Sequence, residues 1–208
     1  MDSSDQVLGQ SLGQSSGQSS HQLPVVIVPG FHDAALTRQW VRSLPSFVRP
    51  LIIDAYPTSP LAVYEWLQAH FSSDPNEPAA PIVGIAFSAG VIGLAGGLVL
   101  FNQSSGGSAK RLIAVDGFGV PVVGMPVTRI SHDRFTHASS LPLGAGDVNF
   151  YADPAVDHLQ LWGAPEAASG LEVQGWNLDQ GVPMTAAEFL RRVLHAEWNK
   201  AFSWRAMV

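Results

Sequence analysis

The stretch Ala86-Phe87-Ser88-Ala89-Gly90 decides how this chain is interpreted. The apolar run before it, Ile82 to Phe87, is rich in Ile and Val, which is typical of a buried strand. The run after it, Val91 to Phe101, is rich in Gly, Ala and Leu, which favours a buried helix. The sequence therefore predicts a strand, a sharp turn and a helix, with Ser88 on the turn.

A serine on such a turn fits the pattern of a nucleophile elbow. The bend is tight, so the residues two before and two after the serine must be nearly free of side chain. Ala86 and Gly90 meet this requirement, although alanine replaces the usual first glycine. Ser88 is therefore the candidate nucleophile.

Strands alternate with helices over the rest of the chain, which predicts an α/β fold with a mostly parallel central sheet and helices on both faces. The predicted strands are Leu23 to Val28, Leu51 to Ile53, Ile82 to Phe87, Arg111 to Val115 and a last one closing at Phe150 and Tyr151. Ligands of such sheets bind at the carboxyl ends of the strands. His32, Ser88 and Asp116 each follow a predicted strand, so we expect one shared site there.

The segment 117–150 is rich in Gly, Pro and His and has no clean period, so it is predicted to be a long irregular loop. Loops of that length inside a domain are more often functional than idle. We expect it to form the rim or lid of the site. Its apolar residues, Phe118 among them, are candidates for lining an apolar acyl pocket together with Phe31 and Phe87 near the turn. His32 is a further candidate for contact with the substrate.

Acyl transfer by a serine needs a base, an acid that holds the base, and donors for the oxyanion. His158 is the favoured base because it follows the last predicted strand, and His132 and His137 are the alternatives. Asp116 is the favoured acid because a strand end holds a carboxylate rigidly. Asp133, Asp147 and Asp153 stay open as acids, and His195 is expected to be a surface or packing residue of the last helix. The predicted oxyanion donors are the backbone N–H groups of Ala89 and Phe31.

With these residues in the order Ser88, Asp116, His158, the chain resembles a compact member of the alpha/beta-hydrolase superfamily over Leu23 to Trp162. The resemblance implies hydrolysis of an ester, thioester or amide through an acyl-enzyme intermediate, without a cofactor. The family's acid usually follows the next strand, so Asp116 would be an early variant. The resemblance does not define the substrate, because the fold hosts many chemistries. The alternative is a non-catalytic binding module on the same fold.

The composition of the chain limits its domain organisation and the classes of ligand and partner that we expect it to bind. The 208 residues suit one domain at 23–208, preceded by a Gly/Gln/Ser-rich tail at 1–22 that we expect to be disordered. The net charge of −6 argues against nucleic acid, and the absence of cysteine excludes disulfides and a cysteine nucleophile. No His-Glu-x-x-His motif occurs, so we expect no metal and no cofactor.

The stretch 81–101 carries no charge and is long enough to span a bilayer. Its change from Ile and Val to Gly, Ala and Leu at Ser88 favours a buried strand followed by a buried helix instead. The start of the chain is acidic and lacks an apolar core, unlike a secretory signal. We therefore expect a cytoplasmic protein without an integral membrane segment. Its expected partner is a small-molecule ester with an apolar acyl part, and its oligomeric state is left open.

Overall fold

The computed structural model describes residues 22–53, 56–71, 80–104 and 107–203. The predicted disordered tail therefore lies outside the described residues, except for Gln22.

Within the described residues, eight strands form one sheet in the order β2-β1-β3-β4-β5-β6-β7-β8. Strands β1 to β6 pair in parallel, and β7 and β8 add an antiparallel edge. The strands are β1 Leu23–Val28, β2 Val48–Ile52, β3 Ile82–Phe87, β4 Ala109–Val115, β5 Val127–Ser131, β6 Val148–Ala152, β7 Ser169–Gln174 and β8 Gly181–Thr185. The predicted α/β architecture is confirmed.

Helices cover both faces of the sheet. They are α1 Ala34–Arg42, α2 Pro60–Phe71, α3 Gly90–Gln103, α4 Arg134–Ser140, α5 His158–Gly163 and α6 Ala186–Phe202. Alternate residues of β1 belong to two separate apolar cores: Val25 and Ile27 pack with residues of α1, α5 and α6, while Val26 and Val28 pack with residues of α2 and α3. Burial on both faces explains why the central strands read as unbroken apolar runs.

The glycines of the uncharged stretch bring α3 close to its neighbours. A Cβ on Gly93 would lie 2.2 Å from the Pro57 carbonyl oxygen, and one on Gly97 would lie 2.6 Å from Val63 Cγ1. The stretch is thus a buried strand and helix, as expected. No helix among the described residues has the length and apolar character needed to cross a membrane.

The prediction of a long irregular loop at 117–150 is wrong. The segment contains β5, α4 and the start of β6, so the strand closing at Phe150 and Tyr151 is the sixth and not the fifth. Strand β5 was hidden because Arg129 interrupts its apolar pattern. The Arg129 side chain is buried and donates to the carbonyl oxygens of Gly144, Leu143 and Val120 at 2.7–3.1 Å. These bonds satisfy a charged group that a local sequence pattern would assign to the surface.

Two further elements follow β6. Helix α5 begins at His158, because Asp157 caps it by accepting from the N–H groups of Leu159 and Gln160. The hairpin of β7 and β8 was not predicted. Its strands carry glycine, proline and glutamate in place of a clear apolar alternation.

Candidate active site

The turn at Ser88 has the strained geometry of an elbow. Ser88 has φ +53°, in the left-handed region that side chains usually avoid. Its backbone N–H donates to the Val115 carbonyl at 2.8 Å, which ties the elbow to β4. A Cβ on Gly90 would lie 2.5 Å from the Val28 carbonyl oxygen, so the serine plus two position cannot carry a side chain here. Contacts with β1 and β4 therefore over-determine the bend.

The loop after β1 lies directly against the elbow. A Cβ on Gly30 would lie 3.0 Å from both Ser88 Cβ and the Phe87 carbonyl oxygen. The next N–H groups differ in use: His32 donates to the Gly30 carbonyl at 3.2 Å, while Phe31 and Ala89 donate no backbone hydrogen bond within the described part of the chain. The two predicted oxyanion donors are thus N–H groups without an internal acceptor on either side of the elbow.

Asp116 follows β4, the strand next to β3, and its side chain is 1 % exposed. Its Oδ2 accepts from His158 Nδ1 at 2.8 Å and from His132 Nδ1 at 3.0 Å, while Oδ1 accepts from the His132 backbone N–H at 2.8 Å. The structure therefore brings the favoured acid and the favoured base into hydrogen-bond contact. It also brings in His132, the alternative base, on the same oxygen.

His158 is held from below by a stack of aromatic rings. Its ring stacks on Phe87 at 4.5 Å between centroids, and Phe87 stacks on Trp162 at 5.0 Å. The hydrogen bond that His158 donates to Asp116 raises the pKa of His158. Burial opposes that rise, and the negative charges of Asp116 and Asp157 add to it. Because Asp116 is an acceptor, Nδ1 of His158 carries the proton and Nε2 is the basic nitrogen.

Phe87 links Ser88 to His158, because it precedes the serine in the chain and its ring stacks on the imidazole. Among the described residues, no hydrogen bond joins the Ser88 hydroxyl to His158 or His132. Catalytic hydrogen bonds of this kind are often long without substrate and tighten in the complex.

The predicted substrate-contacting residues have different surroundings. Phe87 is 1 % exposed, so its ring supports His158 from inside the core. His32 is half-buried, shares a hydrogen bond with Thr37 Oγ1 at 2.8 Å and meets Phe87 edge-on; burial and the nearby His158 lower the pKa of His32. Phe118 is 61 % exposed, beyond the end of β4.

The remaining candidate acids and bases have other contacts. Asp133 caps α4 by accepting from the Thr136 N–H at 2.6 Å, and Asp147 lies 3.7 Å from Arg111. His137 is buried and stacks on Tyr151, and His195 is on the surface of α6 beside Asn199. That His132 and His158 share one carboxylate was not predicted. The only local signal was the polar run Ser131-His132-Asp133, which marks the end of β5.

The same three side chains form a set of metal-type donors. Ligand atoms of Asp116, His132 and His158 all lie within 4.8 Å of one another. Two imidazoles and a carboxylate suit Zn²⁺ or Fe²⁺.

Comparison with models of known protein families finds no match, and comparison with curated proteins finds no relative. The fold and the site geometry therefore carry the functional argument. The chain has an α/β fold with a mostly parallel eight-stranded sheet among the described residues, which is compatible with an alpha/beta-hydrolase-like fold.

Proposed function

We propose that this protein is a serine hydrolase of the alpha/beta-hydrolase type, which cleaves a carboxylic ester through an acyl-enzyme intermediate on Ser88. The observation that carries the proposal is the 2.8 Å hydrogen bond from His158 Nδ1 to buried Asp116, next to a serine held at φ +53°. A thioester or an amide would react by the same steps.

In the proposed mechanism the Ser88 hydroxyl attacks the substrate carbonyl and its proton passes to His158 Nε2. The Asp116 carboxylate stabilises the imidazolium that results. The N–H groups of Ala89 and Phe31 bind the oxyanion. Collapse of the intermediate breaks the bond to the alcohol, which takes the proton from His158. Water then attacks the acyl group by the same sequence and restores the free serine.

Two exposed aromatic side chains support an apolar acyl substrate. Phe31 is 77 % exposed and Phe118 is 61 % exposed, and they follow β1 and β4, the strands on either side of β3. Their positions after the two neighbouring strands support an apolar contact surface for the substrate on both sides of Ser88. Removing an acyl chain from water against such surface contributes about 0.8 kcal/mol for each methylene that is buried.

A fluorophosphonate probe tests the proposal directly. We expect the wild-type protein to be labelled on Ser88 and the Ser88→Ala variant to be unlabelled, while Ser139→Ala, which removes a half-buried serine of α4, keeps full labelling. Hydrolysis of p-nitrophenyl esters should follow the same pattern. A folded wild-type protein that neither reacts with the probe nor turns over esters would contradict the proposal and favour a binding module.

The acyl preference has its own test. In a series of p-nitrophenyl esters from acetate to octanoate, Phe118→Ser should weaken kcat/KM progressively as the chain lengthens. Val182→Ser, which changes an exposed apolar residue of β8, should leave the series unchanged. Equal slopes for wild type and Phe118→Ser would remove Phe118 from the substrate site.

The donor set of Asp116, His132 and His158 favours a second candidate, a metal-assisted hydrolase. In that case, dialysis against a chelator would abolish esterase activity and Zn²⁺ would restore it, and Ser88→Ala would keep most of the activity. The serine mechanism predicts the opposite on both counts.

A further inference from the structure

His132 contacts the proposed catalytic acid with two separate groups. Its backbone N–H donates to Asp116 Oδ1 at 2.8 Å, and its Nδ1 lies 3.0 Å from Oδ2. Its backbone carbonyl accepts from the Val156 N–H at 3.0 Å, two residues before His158. One residue at the end of β5 thus links the acid to the loop that carries the base.

We propose that His132 is a positioning residue, whose side chain orients Asp116 and limits how strongly Asp116 binds His158. The proposal rests on the proposed serine mechanism. It gives His132 no direct contact with substrate, since its effect passes through the carboxylate.

The side chain of His132 carries the specific part of this role, because any residue supplies the backbone bonds. Two imidazole Nδ1 atoms lie within hydrogen-bond distance of the one oxygen Oδ2, at 2.8 and 3.0 Å. A second donor draws charge from that oxygen and weakens its bond to the first. With His132 absent, Oδ2 would interact with His158 alone.

The imidazole rings of His132 and His158 have charged and titratable neighbours from several parts of the fold. His132 faces Asp116 and Asp133, whose Oδ2 lies 3.6 Å from Nε2, and its ring centroid lies 6.0 Å from that of His158. His158 faces Asp116, Asp157, His132 and His32. Of these, only Asp116 is hydrogen-bonded to the side chains of both histidines within the described residues.

The consequence is a loss in the chemical step. With the His132 side chain absent, the carboxylate can turn and its bond to His158 changes, so the imidazole is no longer held in the geometry that proton transfer from the serine needs.

Three variants separate the hydrogen bond from the ring. His132→Leu removes the donor, His132→Ala does so without a bulky replacement, and His132→Asn keeps an N–H donor near the position of Nδ1. We expect the first two to lower kcat about 10- to 100-fold with little change in KM, because the carboxylate loses one of its restraints. His132→Asn should restore most of kcat.

The measurement is kcat and KM for a p-nitrophenyl ester at one fixed pH, with the rate of fluorophosphonate labelling as a second readout and circular dichroism to check folding. A wild-type kcat in both donor-less variants overturns the inference. So does a loss of kcat that His132→Asn shares in full. Wild-type protein that resists labelling contradicts the proposed function itself, whereas normal wild-type labelling with an unchanged kcat in both variants contradicts only the role of His132.

Discussion

Strand β4 has a buried polar cluster at each end, and the two clusters are built on different principles. At the amino end, Arg111 binds Glu197 of α6 at 2.8 Å and Thr128 at 2.9 Å, and Lys200 binds the same glutamate at 2.9 Å. At the carboxyl end, Asp116 is paired with two histidines.

The difference lies in whether the partners can change charge. Arginine and lysine stay protonated at neutral pH, so the amino-end cluster is an ion-pair network with constant charge. A histidine can gain or lose a proton near neutral pH, and the side chain of His158 is 39 % exposed. The amino end is therefore suited to holding α6 on the sheet, and the carboxyl end to moving protons.

The largest expected effect is at the carboxyl end. Asp116→Asn presents an amide to His158 and favours the wrong tautomer, so kcat for ester hydrolysis should fall about 10⁴-fold. The free energy of unfolding should change far less than this loss implies, since the amide fits the same space. Steady-state kinetics and urea unfolding of the same samples measure the two quantities. A fall in kcat of less than tenfold would show that Asp116 does not act through His158.

The next effect is at the amino end and should reverse the pattern. Glu197→Leu leaves Arg111 buried without its closest partner, which should cost about 3 to 5 kcal/mol of unfolding free energy. The kcat of the folded fraction should stay at the wild-type value.

The control for that variant is the pair Arg111→Met with Glu197→Leu, which removes both charges. It should recover much of the lost stability, because replacing a buried ion pair by apolar side chains is often nearly neutral. Urea unfolding of the single and double variants makes the comparison. A single variant as stable as wild type would mean that the cluster does not hold α6.

The sequence predicted the parallel core because its signals are local. The runs Leu23 to Val28 and Ile82 to Phe87 each depend on a few adjacent residues, and both appear as strands in the structure. Strand β5 was missed because Arg129 depends on carbonyl groups of residues 120, 143 and 144, which no local pattern connects.

In the candidate site, too, the features with local sequence signals were predicted and those that depend on distant residues were not. Ser88, Asp116 and His158 were selected by their places after strands, and the hydrogen bond between the last two is present. The contact of His132 with Asp116 beside His158 was not predicted, because it requires β5 to lie between β4 and β6. Whether the three residues form a catalytic unit stays a prediction.

A buried histidine, His137, sharpens the contrast with His158. His137 has 0 % exposure, and burial lowers its pKa to about 4, whereas Asp116 raises that of His158. Its unfolded pKa is about 6.5, so the unfolded chain binds the proton first and stability is lost as the pH falls below that value. The loss from this group should be about 2 kcal/mol between pH 7 and pH 5.

His137→Phe should remove this part of the acid destabilisation, because phenylalanine takes up no proton. Urea unfolding at pH 7 and pH 5 measures it, and His195→Phe, at an exposed position of α6, should keep the wild-type difference. If His137→Phe and wild type lose the same stability over this range, His137 is not held neutral.

The smallest effect is at the start of α6, the helix that supplies Glu197. Thr185 accepts from the Glu188 N–H at 3.2 Å and Glu188 accepts from the Thr185 N–H at 2.8 Å, which completes a capping box. Thr185→Ala should lower the free energy of unfolding by about 1 kcal/mol, and Thr185→Ser should keep most of it. Esterase activity should be unchanged in both, because α6 contributes stability to the amino end of β4 and no side chain to the Asp116 cluster within the described residues. A fall in kcat in Thr185→Ala would mean that the two ends of β4 are coupled, and the division between a stabilising end and a reactive end would then fail.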